Sequence, residues 1–320
     1  MAVVAGIDEA GYGPLLGPLV VSAAAFRVRD EAGEADLWDL FSSVITREAP
    51  RKTGRLQVAD SKVVHRGPNG PRALEENLLP FLGLLWPLPG SVRGLMRNLR
   101  CENAQHIGGY PWYRDCDPGM PRRVKAEHIL ERSRDLQAKL AAAGAAFCGA
   151  RTEALDVAEF NREVRKAGCK SVPLAQRVAL LMRHLWETSG EEKLVLFVDK
   201  QGGRNRYSSF LRAAFPGCRL EVYEETAGSS GYRISAGGRQ AAIQFEPRAD
   251  SRRLPVALAS MLSKYVRELF VEMLNEFWRR RVPGLRPTAG YIQDGRRFLA
   301  DIEAARAAEG ISLDLLARCR

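Results

Sequence analysis

Apolar residues follow two rhythms along this chain. Residues 2–7 (Ala2-Val3-Val4-Ala5-Gly6-Ile7) and residues 194–198 (Leu194-Val195-Leu196-Phe197-Val198) are continuous apolar runs, and residues 20–28 are nearly so. Short runs of this kind predict strands buried on both faces. Residues 145–153, 219–223, 232–234 and 241–245 predict further strands, and a Gly- and Ser-rich turn at 228–231 makes a hairpin. Elsewhere the apolar positions recur every three or four residues. Asp156 opens one helix, which continues through Leu174, Val178, Leu181, Met182 and Leu185. A second, long amphipathic helix begins near Pro255 and carries Val256, Leu258, Met261, Leu262, Tyr265, Val266, Leu269, Phe270, Met273, Leu274 and Phe277. Strands alternating with helices predict an α/β fold.

Residues 63–144 interrupt that order. Leu78-Leu79-Pro80-Phe81-Leu82 and Leu84-Leu85-Trp86 are too apolar for a disordered linker, and a basic helix runs from about Arg122 to Leu140. Tyr110-Pro111-Trp112-Tyr113-Arg114 interleaves aromatics with arginines. Such a stretch either stacks on bases or packs a small helical subdomain against the core. Residues 301–320 read as an Ala-rich helical tail.

The apolar content of 320 residues is ample for a packed core. A net charge of +10 favours an anionic partner, nucleic acid being the simplest. Six cysteines without a Cys-x-x-Cys pair fit a reduced compartment. No apolar run approaches the roughly 20 residues that span a bilayer. The cytoplasm is the expected location, and a monomer the expected state.

Acids at strand ends stand out against this background. Asp8-Glu9 follows the first apolar run, and Asp199 ends the run at 194–198. A buried carboxylate needs a cation or donors to compensate its desolvation, and a divalent metal is a natural compensator. The alternative is an exposed pair capping a turn. Asp60-Ser61-Lys62 and Asp250 carry the same ambiguity, since each acid also suits a helix N-cap. At Asp250 the nearby helix N-terminus should favour the ionised form.

Asp8-Glu9-Ala10-Gly11-Tyr12-Gly13-Pro14 with Gly17-Pro18-Leu19-Val20 resembles the opening motif of the ribonuclease HII family, which cleaves the RNA strand of RNA–DNA hybrids. That motif carries arginine where Tyr12 stands. Asp60-Ser61-Lys62 resembles the family's Asp-Ser-Lys, Asp156 with Asn161 its Ile-Asp-x-x-x-Asn, and Arg248-Ala249-Asp250-Ser251 its Lys-Ala-Asp-Ser. Gly290-Tyr291 resembles its Gly-Tyr segment, and Asp199-Lys200 stands where the family has Asp-Gly. The resemblance implies a ribonuclease H-like mixed sheet flanked by helices, formed by residues 1–62 and 145–300, with 63–144 inserted and 301–320 as a tail. It assigns Asp8, Glu9, Asp199 and Asp250 to catalysis and metal binding. It assigns Gly11, Tyr12, Gly13, Lys62 and Tyr291 to nucleic-acid contact, Tyr291 being the candidate reader of the 2′-hydroxyl.

An all-carboxylate donor set suits a hard ion, so Mg2+ or Mn2+ is expected and zinc is not. The implied reaction is endonucleolytic hydrolysis of RNA–DNA hybrids, or at ribonucleotides embedded in duplex DNA, leaving 5′-phosphate and 3′-hydroxyl ends. The alternatives are a binding protein of the same fold without turnover, or a nuclease for another structured nucleic acid.

Overall fold

In a computed structural model the residues described are 1–30, 35–49, 54–101, 109–114 and 116–319. Seven strands form one sheet: β1 (Ala2–Ala10), β2 (Leu19–Val28), β3 (Ala146–Leu155), β4 (Lys193–Asp199), β5 (Arg219–Glu225), β6 (Ser230–Ala236) and β7 (Arg239–Glu246). Their order is β3-β2-β1-β4-β7-β6-β5. β1 runs parallel to β4, and β4 to β7, while the pairs β1/β2, β2/β3, β7/β6 and β6/β5 are antiparallel. The sheet is therefore mixed, with its three parallel strands in the middle.

Six helices of ten or more residues are present among the described residues: α1 (Gly70–Leu82), α2 (Ala126–Ala142), α3 (Val157–Ala167), α4 (Ser171–Thr188), α5 (Leu254–Arg279) and α6 (Ile292–Asp301). Alternation along β1 divides them between the two faces. Val3, Ala5 and Ile7 pack with Leu174, Val178 and Leu181 on one side, whereas Ala2 and Val4 pack with Val256, Leu258 and Met261 on the other. The expected α/β architecture, a mixed sheet flanked by helices, is what the chain adopts.

Helix α5 lies directly on β1, and Gly6 is why it can. A Cβ at that position would stand 2.2 Å from the Val256 nitrogen and 2.4 Å from the Pro255 carbonyl carbon. Only a residue without a side chain lets helix and strand backbones meet so closely.

Three expectations change in detail. Strand β1 continues to Ala10, past the apolar run, because Asp8, Glu9 and Ala10 still pair with Ser22, Val21 and Val20 of β2. The helix expected to run from Asp156 to Leu185 is two helices, since Gly168 adopts φ 67° and caps α3 in the left-handed conformation. Around Asp250 the chain forms a short 3-10 turn, Ala249–Ser251, and α5 starts only at Leu254 with Arg253 as its N-cap, so Asp250 does not cap it.

Residues 70–142 supply helices, and their apolar side chains join the same core as α5. Of the Tyr110-Trp112-Tyr113 cluster, Trp112 is 2% and Tyr113 1% exposed, and Tyr113 packs edge-on against Phe270 of α5. These rings serve packing and present no face to a base. The basic helix begins at Ala126, and Arg122 and Arg123, which precede it, are paired with Glu272 of α5.

Candidate active site

Parallel pairing of β1 with β4 ends at Ile7 and Val198. The next residue on each strand is an acid, Asp8 and Asp199, and adjacent strands lie about 4.8 Å apart. Glu246 at the end of β7 stands opposite Asp199. Three neighbouring parallel strands thus carry acids at the same end of the sheet.

The environments of those acids differ. Glu246 is neutralised by Arg253, whose Nε and a terminal nitrogen donate to its two oxygens at 3.1 and 2.7 Å. The Arg253 guanidinium lies 4.2 Å from the centre of the Phe197 ring. Asp8, only 8% exposed, lies against α5, where Ser260 stands beside its carboxyl and lowers its proton affinity, and the Ser263 hydroxyl donates to its carbonyl at 2.9 Å. Ser61 stands 3.1 Å from Ser260 and ties the Asp60-Ser61-Lys62 turn to the same place.

Asp199 Oδ1 accepts from the Ala249 amide at 2.7 Å. The bond holds the turn that carries Asp250, and Arg248 at φ 55° aims that turn at the strand end. Asp60 caps the short helix Ser61–Val64 by accepting from the Lys62 amide at 2.8 Å. Capping and proximity to the acids turn out to be compatible, because Lys62 acts electrostatically on Glu9, Asp199 and Asp250.

Burial raises every acid of the group, and neighbouring negative charges add to it. Burial pushes Asp8 well above the usual carboxylate range, and the charges of Glu9 and Asp199 add to this. Burial, then Asp199, push Glu9 up to about 7. Asp250 rises to about 6 through burial and the charges of Asp60 and Asp199, which outweigh the opposing pull of Lys62 and the Ser251 amide. Asp199 is raised by burial and held back by the Ala249 amide and Lys62. The four predicted acids therefore lie within electrostatic reach of one another, with Lys62 acting on three of them.

Among the described residues no group of three or more histidine, cysteine, aspartate or glutamate side chains stands close enough together to hold a metal ion. The donor set itself fits a hard divalent cation: oxygen ligands only, from separate rigid elements, with raised affinity for positive charge.

The β1–β2 connection runs along the rim of the site. Gly11 has φ 88°, and a Cβ there would meet the Pro18 carbonyl oxygen at 2.6 Å, whereas Gly13 faces open space. Between them Tyr12 is half-buried, with Lys170 Nζ 5.1 Å from the centre of its ring. Tyr291 is 55% exposed at the start of α6, so it is not a packing residue. Its neighbour Gly290 accepts from the amides of Leu15 and Leu16 at 2.8 and 3.1 Å, which joins the Tyr291 segment to the Tyr12 loop. Lys200 turns away from the acids, donating to Asn205 Oδ1 at 3.0 Å and to the Thr226 carbonyl at 2.5 Å.

Several participants escaped the sequence reading: Ser260, Glu246 with Arg253, and residues 312–319, which pack against the Tyr12 loop. A serine within a helix and an arginine in a tail carry no local signal of such roles. For Glu246 the signal was an acid closing a third strand.

Among the described residues no helix is long and apolar enough to cross a membrane. No family model and no curated protein matches the sequence. Among solved structures, the chain is similar to the RNase HII of a PCNA:RNase HII complex from Archaeoglobus fulgidus, at 16% identity over 99% of this chain and 94% of that one, with a TM-score of 0.43. A point mutant of Bst-RNase HIII gives 17% identity over 99% of this chain and 66% of that one, TM-score 0.47. Ribonuclease H2 from Pyrococcus horikoshii OT3 gives 16% identity over 98% and 92%, TM-score 0.41.

Proposed function

We propose that this protein is a ribonuclease H-type endonuclease that hydrolyses the RNA strand of RNA–DNA hybrids, or at ribonucleotides within duplex DNA, with Mg2+ or Mn2+. One observation carries the reading: four acids from three separate stretches of the chain, Asp8-Glu9, Asp199 and Asp250, come within electrostatic reach of one another around the ends of two adjacent parallel strands, and they are the acids of the ribonuclease HII-like motifs. Structural acids this crowded lower stability, so an arrangement of this kind is expected where positive charge is to be bound.

Asp8, Glu9, Asp199 and Asp250 would hold the cation. When bound, it supplies charge neutralisation at the scissile phosphate and lowers the pKa of an attacking water. The chain's own residues do the rest. Asp199 fixes the Asp250 turn through the Ala249 amide. Ser260 orients the Asp8 carboxyl, and Lys62 supplies a cation at the rim for a phosphate oxygen. The Gly11-Tyr12-Gly13 loop offers a backbone free of Cβ atoms on either side of Tyr12, and exposed Tyr291 offers a ring and a hydroxyl for the ribose. Water attack at phosphorus breaks the bond to the 3′-oxygen, leaving 5′-phosphate and 3′-hydroxyl ends.

The departure of Asp199-Lys200 from Asp-Gly does not place a competing ammonium among the acids, because Lys200 Nζ is engaged with Asn205 and the 226–227 carbonyls. This favours turnover over the reading of a binding protein. The test compares a full RNA–DNA hybrid, a duplex with one ribonucleotide, and all-DNA. Cleavage of either ribonucleotide-containing substrate with all-DNA left intact supports the proposal; cleavage of DNA alone, or binding without cleavage, rejects it.

A further inference from the structure

Two guanidiniums lie buried beneath the 11–18 loop. Arg318 is 5% exposed and Arg267 1%. Arg318 Nε donates to the Gly17 carbonyl at 3.0 Å, one terminal nitrogen donates to the same oxygen at 2.5 Å, and the other donates to the Gly11 carbonyl. Arg267 donates to the Leu16 carbonyl at 3.0 Å and the Ala289 carbonyl at 3.2 Å. Carbonyls of both rim segments are thus turned inward onto buried cations. Gly11, Gly17 and Gly290, at φ 88°, 79° and 83°, supply the backbone conformations.

Arg318 is itself held in place. Its amide donates to the Leu15 carbonyl at 2.9 Å. Asn161 on α3 donates to the Ala317 carbonyl at 2.9 Å and accepts from the Cys319 amide at 2.7 Å, gripping the chain on both sides of Arg318. The remote 312–319 segment therefore forms the floor of the rim loop. Burying two like charges side by side is costly when apolar side chains would fill the same space, so their hydrogen-bonding geometry is what they contribute.

We infer that Arg318 is a positioning residue: with Arg267 it locks the loop carrying Gly11, Tyr12 and Gly13 to the segment carrying Tyr291, presenting both to nucleic acid in one fixed arrangement beside Asp8 and Glu9. A planar fork reaches the Gly11 and Gly17 carbonyls at once, which a single ammonium cannot do. The inference rests on the loop facing nucleic acid as proposed above.

The test uses the full chain with Arg318→Ala, Arg318→Lys and Asn161→Ala. Hydrogen exchange is followed in a peptide covering Leu15 and Leu16, with the interior of β1 as reference, and KM and kcat are measured on the RNA–DNA hybrid. The expected result is about tenfold faster exchange at Leu15 and Leu16 with β1 unchanged, and about tenfold higher KM with kcat within about threefold. Arg318→Lys should recover only part of either. Unchanged loop protection in folded variants overturns the inference, and so does a loosened loop with unchanged KM. If Arg318→Ala does not fold, Asn161→Ala, which frees the same segment without touching the loop, decides by the same two readouts. A loosened loop in a protein whose wild type neither binds nor cuts the hybrid supports the brace and overturns the nuclease reading alone.

Discussion

Asp199 Oδ1 accepts a hydrogen bond from the Ala249 amide at 2.7 Å, so the acid ending one central strand holds the turn that carries another acid of the site, Asp250. Asp199 thus has two duties, charge and scaffold, and substitution can separate them. Asp199→Asn retains an oxygen for the Ala249 amide and loses the charge. It should abolish cleavage while unfolding within about 1 kcal/mol of wild type. Asp199→Ala also loses the bond and should cost a further ~1–2 kcal/mol in denaturant titrations. Equal activity of Asp199→Asn and wild type would remove Asp199 from the catalytic set.

The crowded acids have a consequence for stability in chelator. Glu9 rises from the usual carboxylate range to about 7 and Asp250 to about 6 in the folded chain, so the native state binds more protons than the unfolded one across that window. Stability contributed by these groups is therefore present below about pH 4 and lost as pH rises to about 7. Glu9→Gln should raise the neutral-pH stability of protein in chelator by on the order of 1–3 kcal/mol and flatten the fall of Tm between about pH 4.5 and 7. Mg2+ should raise wild-type Tm and leave that of Glu9→Gln less affected. A wild-type Tm that climbs through this window would contradict the assigned charge crowding.

Gly6 predicts a purely steric defect. With a Cβ 2.2 Å from the Val256 nitrogen, Gly6→Ala forces α5 away from β1 and with it Ser260 and Ser263 from Asp8. The expected loss is on the order of 3 kcal/mol or more by denaturant unfolding, with activity falling in the fraction that remains folded. A near-neutral Gly6→Ala would mean that helix and strand are not in backbone contact.

Tyr12 and Lys170 predict a binding effect separate from chemistry. Lys170 Nζ sits over the Tyr12 ring at the rim of the acids. Lys170→Ala should weaken hybrid binding several-fold and lower the magnitude of the slope of log affinity against log salt by about 1, with kcat little changed. Tyr12→Phe, which keeps the ring, should behave close to wild type. An unchanged salt slope would take Lys170 out of the interface.

The parts of this molecule legible in the sequence are those written locally. Continuous apolar runs showed β1 and β4, and acids at their ends are conspicuous because a buried carboxylate demands a partner. Apolar period marked α5 to within two residues of its ends. Non-local relationships left no such trace. That Asp8 and Asp199 are neighbours depends on the sheet order, and that Ser260 serves Asp8 depends on Gly6 admitting the helix. The break at Gly168 was hidden because apolar spacing resumes in phase after it, and the aromatics at 110–113 read equally as base platforms until Trp112 and Tyr113 were found buried. Arg318 lies 301 positions from Gly17, and nothing in a basic tail distinguishes an arginine that will fold inward from one that will stay in solvent.

The most direct test of the central claim is cleavage of an end-labelled RNA–DNA hybrid by wild type and Asp8→Asn, each with Mg2+, Mn2+ or chelator. The acid cluster predicts cutting by wild type with either ion, none in chelator, and none by Asp8→Asn, which should still fold and bind the hybrid. Cleavage that persists in chelator, or in Asp8→Asn at the wild-type rate, would contradict the assignment of this site.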